Sequence, residues 1–484
     1  MHDERKGPYF SRLQIPACRI FPLLPSEIPS FVDQQEIMKR TLISSLSVTV
    51  LFLSGLNGVY AQNSGKQIAK NKQAQVAGLG IEKKLGNPAM KGLSLDHYEK
   101  FRLAVLPLIE EMGAKKIVAL GESTHGTAEF YKLRFWISRI LVEEKGFRHI
   151  AFENDMMDTW FLNQELAQHS DLDGLMKKYL LSIWQNKETK AMLEWVKKYN
   201  ATHDAKVVLD GLDYPFLTPD VLMVEKLLKN VPGIKADLDT LRTAAKIQDS
   251  AWEGMNQPDY KLDFPVLTKS SYQAYLLAEK LKAQLTNMNL SAEDQHTAKL
   301  ALGNFQQGTS PFYAMTTGKT ELSRDSNMAS NVAELLIHPS DKMIIWAHNA
   351  HLAKTGIYNN EVGGTGGHLL KTYPGNYFVL GTGTATGTFT STTDGRITKS
   401  SPMSVSVLES PVQGSWESEW SQTTLPAFYF KASKLNPGKA VKPMRFIGYG
   451  PDSSPKKNDS TNISDLFDAF LFIKESHAAT PLDQ

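Results

Sequence analysis

Short apolar runs flanked by polar residues recur along this chain, at 116–120, 148–152, 206–210, 342–347 and 376–381. Each is four to six residues long, which predicts buried strands rather than helices. Between them the apolar positions fall at helical spacing. From Ser94 onward Leu95, Phe101, Val105, Leu108, Ile109 and Met112 line one face, and Gly113 closes the last turn. The pattern continues as helix over 127–144, helices over 155–200, a long helical region over 218–338, and helix over 367–373.

Strands alternating with helices predict an α/β fold, with a mostly parallel central sheet covered by helices on both faces. Parallel neighbours need crossover connections, and those crossovers bury both surfaces. The intervals 155–200 and 218–338 hold too much helix for simple crossovers and predict a large helical insertion lobe. The Gly/Thr-rich stretch 381–396 reads as turns, and 426–448 as further strands.

The N-terminal region has a different pattern. Lys39 and Arg40 precede an apolar run from Thr41 to Leu56, closed by Val59-Tyr60-Ala61 and polar Gln62. This is the order of an export signal over 38–61, cleaved after Ala61, and the run is short for a membrane span. Residues 1–37 then read as an upstream extension outside the native protein. Residues 62–92 read as a flexible mature N-terminus, and 93–484 as the catalytic domain. The expectation is an exported protein, periplasmic or secreted, with no stable membrane anchor after cleavage.

The only cysteine, Cys18, precedes that cleavage point. The mature chain therefore offers no disulfide, thiol nucleophile or thiolate metal site. A net charge of +2 gives no field to attract nucleic acid, so a small molecule is the expected partner. Oligomeric state is not readable from the sequence.

In open α/β sheets, ligands bind beyond the carboxyl ends of the strands. Ionisable residues sit at four such ends: Glu122 and His125 after IVAL, Glu153 after HIAF, Asp213 after VVLDG, and His348 with His351 after IIWA. Arg134 follows His125 by nine residues and is placed to pair with Glu122 or Glu153. Histidine suits proton transfer because its ordinary pKa of about 6.5 lies near working pH. His125 is the candidate general base, and His348 or His351 with Arg134 the candidate oxyanion stabilisers. Ser123 and Thr124 lack the G-x-S-x-G setting of a nucleophilic serine, so their hydroxyls are expected to bond backbone. Asp213, Trp184, Met156 and Trp160 are candidates for the substrate cleft.

Glu122-x-x-His125, His348-x-x-His351 and Glu153 also form a permissive metal-ligand set, though no H-E-x-x-H motif is present. A metal-dependent hydrolase, or an exported non-catalytic binding protein for a hydrophobic ligand, are therefore the alternative readings. The run Gly363-Gly364-Thr365-Gly366-Gly367 lacks the Lys-Ser/Thr of a phosphate loop and reads as a flexible turn.

The segments GESTHGTAEF, the arginine nine positions on, GFRHIAFE and WAHNAHL resemble the erythromycin esterase family. Further likenesses lie in Trp184 with Glu188, in Trp195 with Asn200, and in Arg324-Asp325 followed by Met328-Ala329 and Asn331. The resemblance covers roughly residues 95–475. It implies hydrolysis of a macrolide lactone or similar ester by histidine-activated water, without a required metal or other cofactor. His125 is then the base, and Glu122, Arg134, Glu153, His348 and His351 form the polar network. An export signal departs from the cytoplasmic resistance enzymes of that family.

Overall fold

The computed structural model describes residues 87–357 and 364–482. The expected extension 1–37, the export signal 38–61, most of the segment 62–92, and Gly363 lie outside the described residues. The last two residues of that N-terminal segment are ordered into the fold. Lys91–Gly92 form strand β1, which pairs antiparallel with Phe428 and Tyr429.

The remaining strands are β2 (Ile117–Glu122), β3 (His149–Asp155), β4 (Val208–Asp213), β5 (Met343–His348), β6 (Tyr377–Ser391), β7 (Ser404–Val407), β8 (Ala427–Lys431), β9 (Lys442–Arg445), β10 (Asn458–Thr461) and β11 (Ala469–Ser476). The main sheet runs β1-β8-β11-β6-β2-β5-β3-β4, with β7 paired to β6. From β11 to β4 every pairing along this path is parallel. β9 and β10 form a separate two-stranded ribbon. Chain order and spatial order part company at β5, which returns from the helical region to insert between β2 and β3. A crevice at the strand ends follows from such a return.

Alternation along each strand builds two cores. Val118, Leu120, Ile150, Phe152, Ile344 and Trp346 share one apolar cluster, on one sheet face. Ile117, Ala119, Ala151, Met343, Ile345 and Ala347 share another, on the opposite face. The helices divide accordingly: α1 (Tyr98–Gly113), α2 (Ala128–Lys145), α3 (Met156–Glu165), α4 (Leu172–Tyr179), α5 (Lys187–Thr202), α6 (Thr218–Leu228), α7 (Lys235–Gly254), α8 (Phe264–Gln284), α9 (Ala292–Thr317), α10 (Arg324–Leu335), α11 (Asn349–Leu352) and α12 (Thr365–Thr372).

The helices of the two long intervals pack on more than one core. α6 to α9 enclose their own core around Leu217, Val224, Leu241, Ala274, Leu281 and Phe305. Leu162, Met176, Met192 and Val196, on α3 to α5, pack into the first sheet core, while Met156 and Met157 at the start of α3 join the lobe core. Met328 and Val332 of α10 pack into the second. Helical periodicity marks an apolar face without saying what covers it.

Two expectations about glycine-rich segments are corrected. Residues 381–391 continue β6 rather than turning, since they pair with β11 and then β7; a Cβ at Gly381 or Gly383 would meet the Phe470 ring at 2.7 or 3.0 Å. Glycine leaves room there for an aromatic ring of β11. The run around Gly364–Gly367 starts α12 instead of forming a turn. A Cβ on Gly366 would lie 2.0 Å from the Leu352 carbonyl, so backbone packs directly on backbone. Among the described residues, no helix is long and apolar enough to cross a membrane.

Candidate active site

In the β2–β5 register Glu122 lies opposite His348, so both reach the same carboxyl edge. Next to them β3 loses register with β4 between Phe152 and Asp155. Such an irregularity re-aims side chains at a sheet rim. Glu153 sits within it, between His348 and Asp213.

Glu122 is completely buried, and each of its oxygens has a cationic or imidazole neighbour. Oε1 lies 2.8 Å from His125 Nδ1, and Oε2 lies 2.7 Å from Arg134 Nη2. The second approach is an ion-pair contact off the axis of a hydrogen bond, and Arg134 Nε and Nη1 have no hydrogen-bond partner among the described residues. Aromatic faces occupy that space instead. The guanidinium carbon lies 4.8 Å from the Tyr131 ring centroid, 4.9 Å from that of Trp346 and 5.2 Å from that of Trp184. A desolvated cation over rings gains roughly 2 kcal/mol per favourable contact. Burial acts to raise the Glu122 pKa, but Arg134 and the His125 hydrogen bond outweigh it, so the carboxyl is held below the usual range.

An ionised Glu122 on Nδ1 keeps the proton there and turns the other nitrogen of His125 into the acceptor. Nε2 makes no hydrogen bond among the described residues. The ring centroid lies 5.2 Å from that of the His348 imidazole and 6.5 Å from that of the Tyr449 phenol ring, which is tilted 24° from it. The His125 ring is therefore oriented by Glu122, with the Nε2 lone pair open. Arg134 is 1 % exposed and lies behind Glu122, so it cannot act as the oxyanion donor expected from sequence. It orients Glu122.

A second polar cluster is centred on Arg324, the first residue of α10. Its Nε donates to both oxygens of Asp213, at 3.0 and 3.2 Å, and Nη2 donates to Glu153 Oε1 at 2.9 Å. Glu153 Oε2 accepts the His348 backbone N–H at 3.0 Å. His351 bridges Asp325, with Nδ1 to Oδ1 at 2.7 Å, and Glu153, with Nε2 to Oε1 at 3.3 Å. Burial disfavours a charged His351, but Glu153 and Asp325 overcome it and push the imidazole up to about 10. The same cations, acting against burial, hold Glu153 well below the usual carboxylate range. Arg324 Nη1 also comes within 3.1 Å of His351 Nε2. With Nε2 protonated this is a contact between two cations, tolerated because three carboxylates surround them, and the Nε2 proton belongs to Glu153. Half of the Arg324 surface stays open, its side chain being 42 % exposed.

His348 is a structural residue. Its Nε2 donates to the carbonyls of Ser123, at 3.2 Å, and Ile447, at 3.0 Å, while Nδ1 accepts the Ala350 N–H at 3.3 Å. That pattern requires the neutral ring. Burial, together with neighbouring His125, brings its pKa down to about 4. The expectation that His348 contacts a reacting oxygen is corrected, since its only N–H is spent pinning two loops. Thr124 also departs from expectation: its hydroxyl pairs with that of Thr127 rather than with backbone.

Two cleft candidates fall in the core and a third packs against it. Trp184 is fully buried, donates from Nε1 to the Glu153 carbonyl at 3.2 Å, and supports Arg134. Met156 packs in the lobe core, and Trp160 lies against it beside Phe161. Aromatic and methionine side chains on helices serve packing as readily as binding. Asp213 does reach the site, where it holds Arg324. Arg324 and Asp325 were visible as a motif but carried no chemical signal, since their partners lie more than a hundred and about thirty residues away. Asn349 had no signal either. Its side chain donates to the Thr382 carbonyl at 2.7 Å, and a Cβ on Gly121 would lie 2.2 Å from its Oδ1. Two surface hollows, of about 600 and 450 Å³, are lined by no residue of either cluster.

Apart from His125 Nε2, the donor atoms of a conceivable metal set are committed to protein partners: Glu122 to His125 and Arg134, Glu153 to Arg324 and the His348 amide, both nitrogens of His348, and both nitrogens of His351. No group of three or more such residues is arranged for a metal among the described residues.

The family model for erythromycin esterase matches residues 142–476. The chain belongs to the erythromycin esterase family. The matched span contains Glu153, Asp213, Arg324, His348 and His351, whereas Glu122, His125 and Arg134 precede it. Among characterised members, this erythromycin esterase family chain is 25 % identical over 292 residues to erythromycin esterase type II of Escherichia coli, covering 54 % of this chain and 65 % of that protein. It is 27 % identical over 276 residues to the type I enzyme of the same species, covering 50 % of this chain and 63 % of that protein. The matches thus span less than two thirds of either relative. A protein from Bacillus cereus has the same fold, with a TM-score of 0.67 at 20 % identity over 82 % of this chain and 97 % of that one. An erythromycin esterase variant in its open conformation aligns with a TM-score of 0.59 at 21 % identity, over 82 % and 99 %.

Proposed function

We propose that the chain is a carboxylic ester hydrolase of the erythromycin esterase type, in which His125 activates water. The observation that carries this reading is the Glu122–His125 pair, with Nδ1 held at 2.8 Å by a buried carboxylate and Nε2 left without a partner. Nε2 takes a proton from water as the oxygen attacks the ester carbonyl. The C–O bond to the alcohol then breaks, and the proton passes from His125 to the departing alkoxide. The products are a carboxylic acid and an alcohol, or one hydroxy acid from a lactone.

Charge that develops on the carbonyl oxygen needs a donor. The exposed face of Arg324, held by Asp213 and Glu153, supplies it in this reading, while the His351 imidazolium, with both N–H groups on carboxylates, adds positive charge beside it; a positioned donor contributes roughly 3 to 4 kcal/mol. Family membership supports the reaction class. A macrocyclic lactone is the substrate this reading favours, and the sequence before Ala61 supports action outside the cytoplasm.

Mass spectrometry of erythromycin incubated with purified protein tests both reaction and substrate. A gain of one water that is lost in His125→Gln is the expected result. No hydrolysis of any macrolide or of a panel of simple esters overturns it. Sequencing the N-terminus of protein recovered from the medium or periplasm tests export, with Gln62 as the expected first residue.

A further inference from the structure

The loop that carries His125, residues 123–127, lies between β2 and α2. Thr127 precedes the helix, but its side chain caps no N–H; its hydroxyl is paired with Thr124. Helix-start amides need acceptors, and here one comes from far along the chain. Ala128 N–H donates to the His477 carbonyl at 2.9 Å.

His477 belongs to a segment, 477–481, that leaves the end of β11 and crosses this loop. Ala479 N–H donates to the Gly126 carbonyl at 2.8 Å, which also accepts Thr390 N–H at 2.9 Å. Glu129, in the first turn of α2, takes the His477 amide on Oε2 at 2.9 Å and the His477 ring Nδ1 on Oε1 at 2.7 Å. Ala478 N–H is fixed to Thr388 Oγ1 at 2.9 Å. Farther on, Thr480 bonds Glu188 and its carbonyl accepts Lys187 N–H at the start of α5. The residues that follow His125, from Gly126 to Glu129, are thus anchored by one strap tied to β6, α2 and α5. Gly126 adopts φ +98°, and a Cβ there would lie 2.2 Å from the Thr390 carbonyl, so only glycine fits where the strap meets the loop.

We propose that residues 477–480 are a positioning element for the hydrolytic reaction, with Glu129 as its latch, setting the Nδ1–H of His125 against Glu122. This rests on the reading of His125 as the base. Neither Glu129 nor the strap touches the reacting atoms; they act through the placement of Gly126. Small misplacements of a catalytic group cost up to about a hundredfold in rate.

The test uses the full chain with Glu129→Ala, Glu129→Gln and Thr388→Val. Two quantities are read: steady-state ester hydrolysis, and exchange of the His125 Nδ1 proton by NMR, its resonance assigned by its loss in His125→Gln. Glu129→Ala is expected to lower kcat about tenfold or more with KM within about twofold, and to speed proton exchange by a similar factor. Glu129→Gln, which still accepts the His477 amide, is expected to recover most of both. Thr388→Val loosens the strap at a second point and gives an intermediate effect; it also decides the matter if Glu129→Ala does not fold. Unchanged kcat and unchanged proton exchange, with only a lower unfolding temperature, overturn the proposal. If the wild-type protein hydrolyses no ester, the functional reading fails while the proton-exchange comparison still decides whether the strap positions His125.

Discussion

Glu122 presents one carboxylate oxygen to His125 and the other to Arg134, so a single buried group at the end of β2 joins an imidazole at the surface of the site to a guanidinium enclosed by aromatic rings. The arrangement separates orientation from chemistry. Arg134 orients Glu122, Glu122 sets the His125 tautomer, and of the three only His125 keeps a ring nitrogen free for chemistry.

Removing the base and removing its orienting carboxylate are expected to differ in degree. General base catalysis contributes roughly 10²- to 10⁴-fold, so His125→Gln should lower kcat by that range with little change in unfolding temperature. Glu122→Gln should also lower kcat steeply, because an amide can leave the wrong His125 nitrogen protonated. Steady-state kinetics on any ester that the wild type hydrolyses will check both. A Glu122→Gln variant of wild-type activity would refute the orienting role.

Arg134 should behave as a stability residue first. Arg134→Met leaves the Glu122 carboxylate buried without its ion pair, which typically costs about 3 to 5 kcal/mol. Denaturant unfolding will measure this. Conversely, Arg324→Lys keeps a charge but loses the fork that spans Asp213 and Glu153, and should lower kcat/KM by more than it lowers stability. Equal losses in the two quantities would remove Arg324 from the reaction.

His351 gives a pH-dependent contribution of defined sign. Its imidazole is raised from 6.5 to about 10 in the folded protein, so the folded state holds a proton that the unfolded state releases. The stabilisation is fully present below about 6.5 and is lost as pH rises through 10, and it amounts to a few kcal/mol at most. Wild type and His351→Asn should therefore differ most in unfolding free energy near pH 6 and converge by about pH 10. A gap that stays constant across that range would show that His351 is neutral in the folded state.

Metal dependence is checked directly by adding a strong chelator and following hydrolysis. Since every candidate ligand atom except His125 Nε2 is bonded to a protein group, one imidazole nitrogen alone is left to hold a metal, and activity should be unchanged after prolonged incubation. Loss of activity restored by one added divalent metal would favour the metal-dependent reading.

The sequence by itself determined the alternation of strands and helices, the two-sided parallel sheet and the strand ends at which Glu122, Glu153, Asp213 and His348 stand. These follow from local periodicity, because a strand buried on both faces must be apolar until it reaches its loop. It also carried, through the ordered motifs, the likeness to the erythromycin esterase family. What each polar group does was decided only in three dimensions. His348 is a neutral tie because two carbonyls and one amide, from different segments, meet its ring. Arg134 is enclosed because Tyr131, Trp184 and Trp346 come from three elements. Trp184, Met156 and Trp160 were indistinguishable from cleft residues until their packing partners were known. Arg324, Asp325 and the strap at 477–481 work through partners distant in sequence, and a linear pattern holds no record of pairings that exist only when the sheet brings strand ends together.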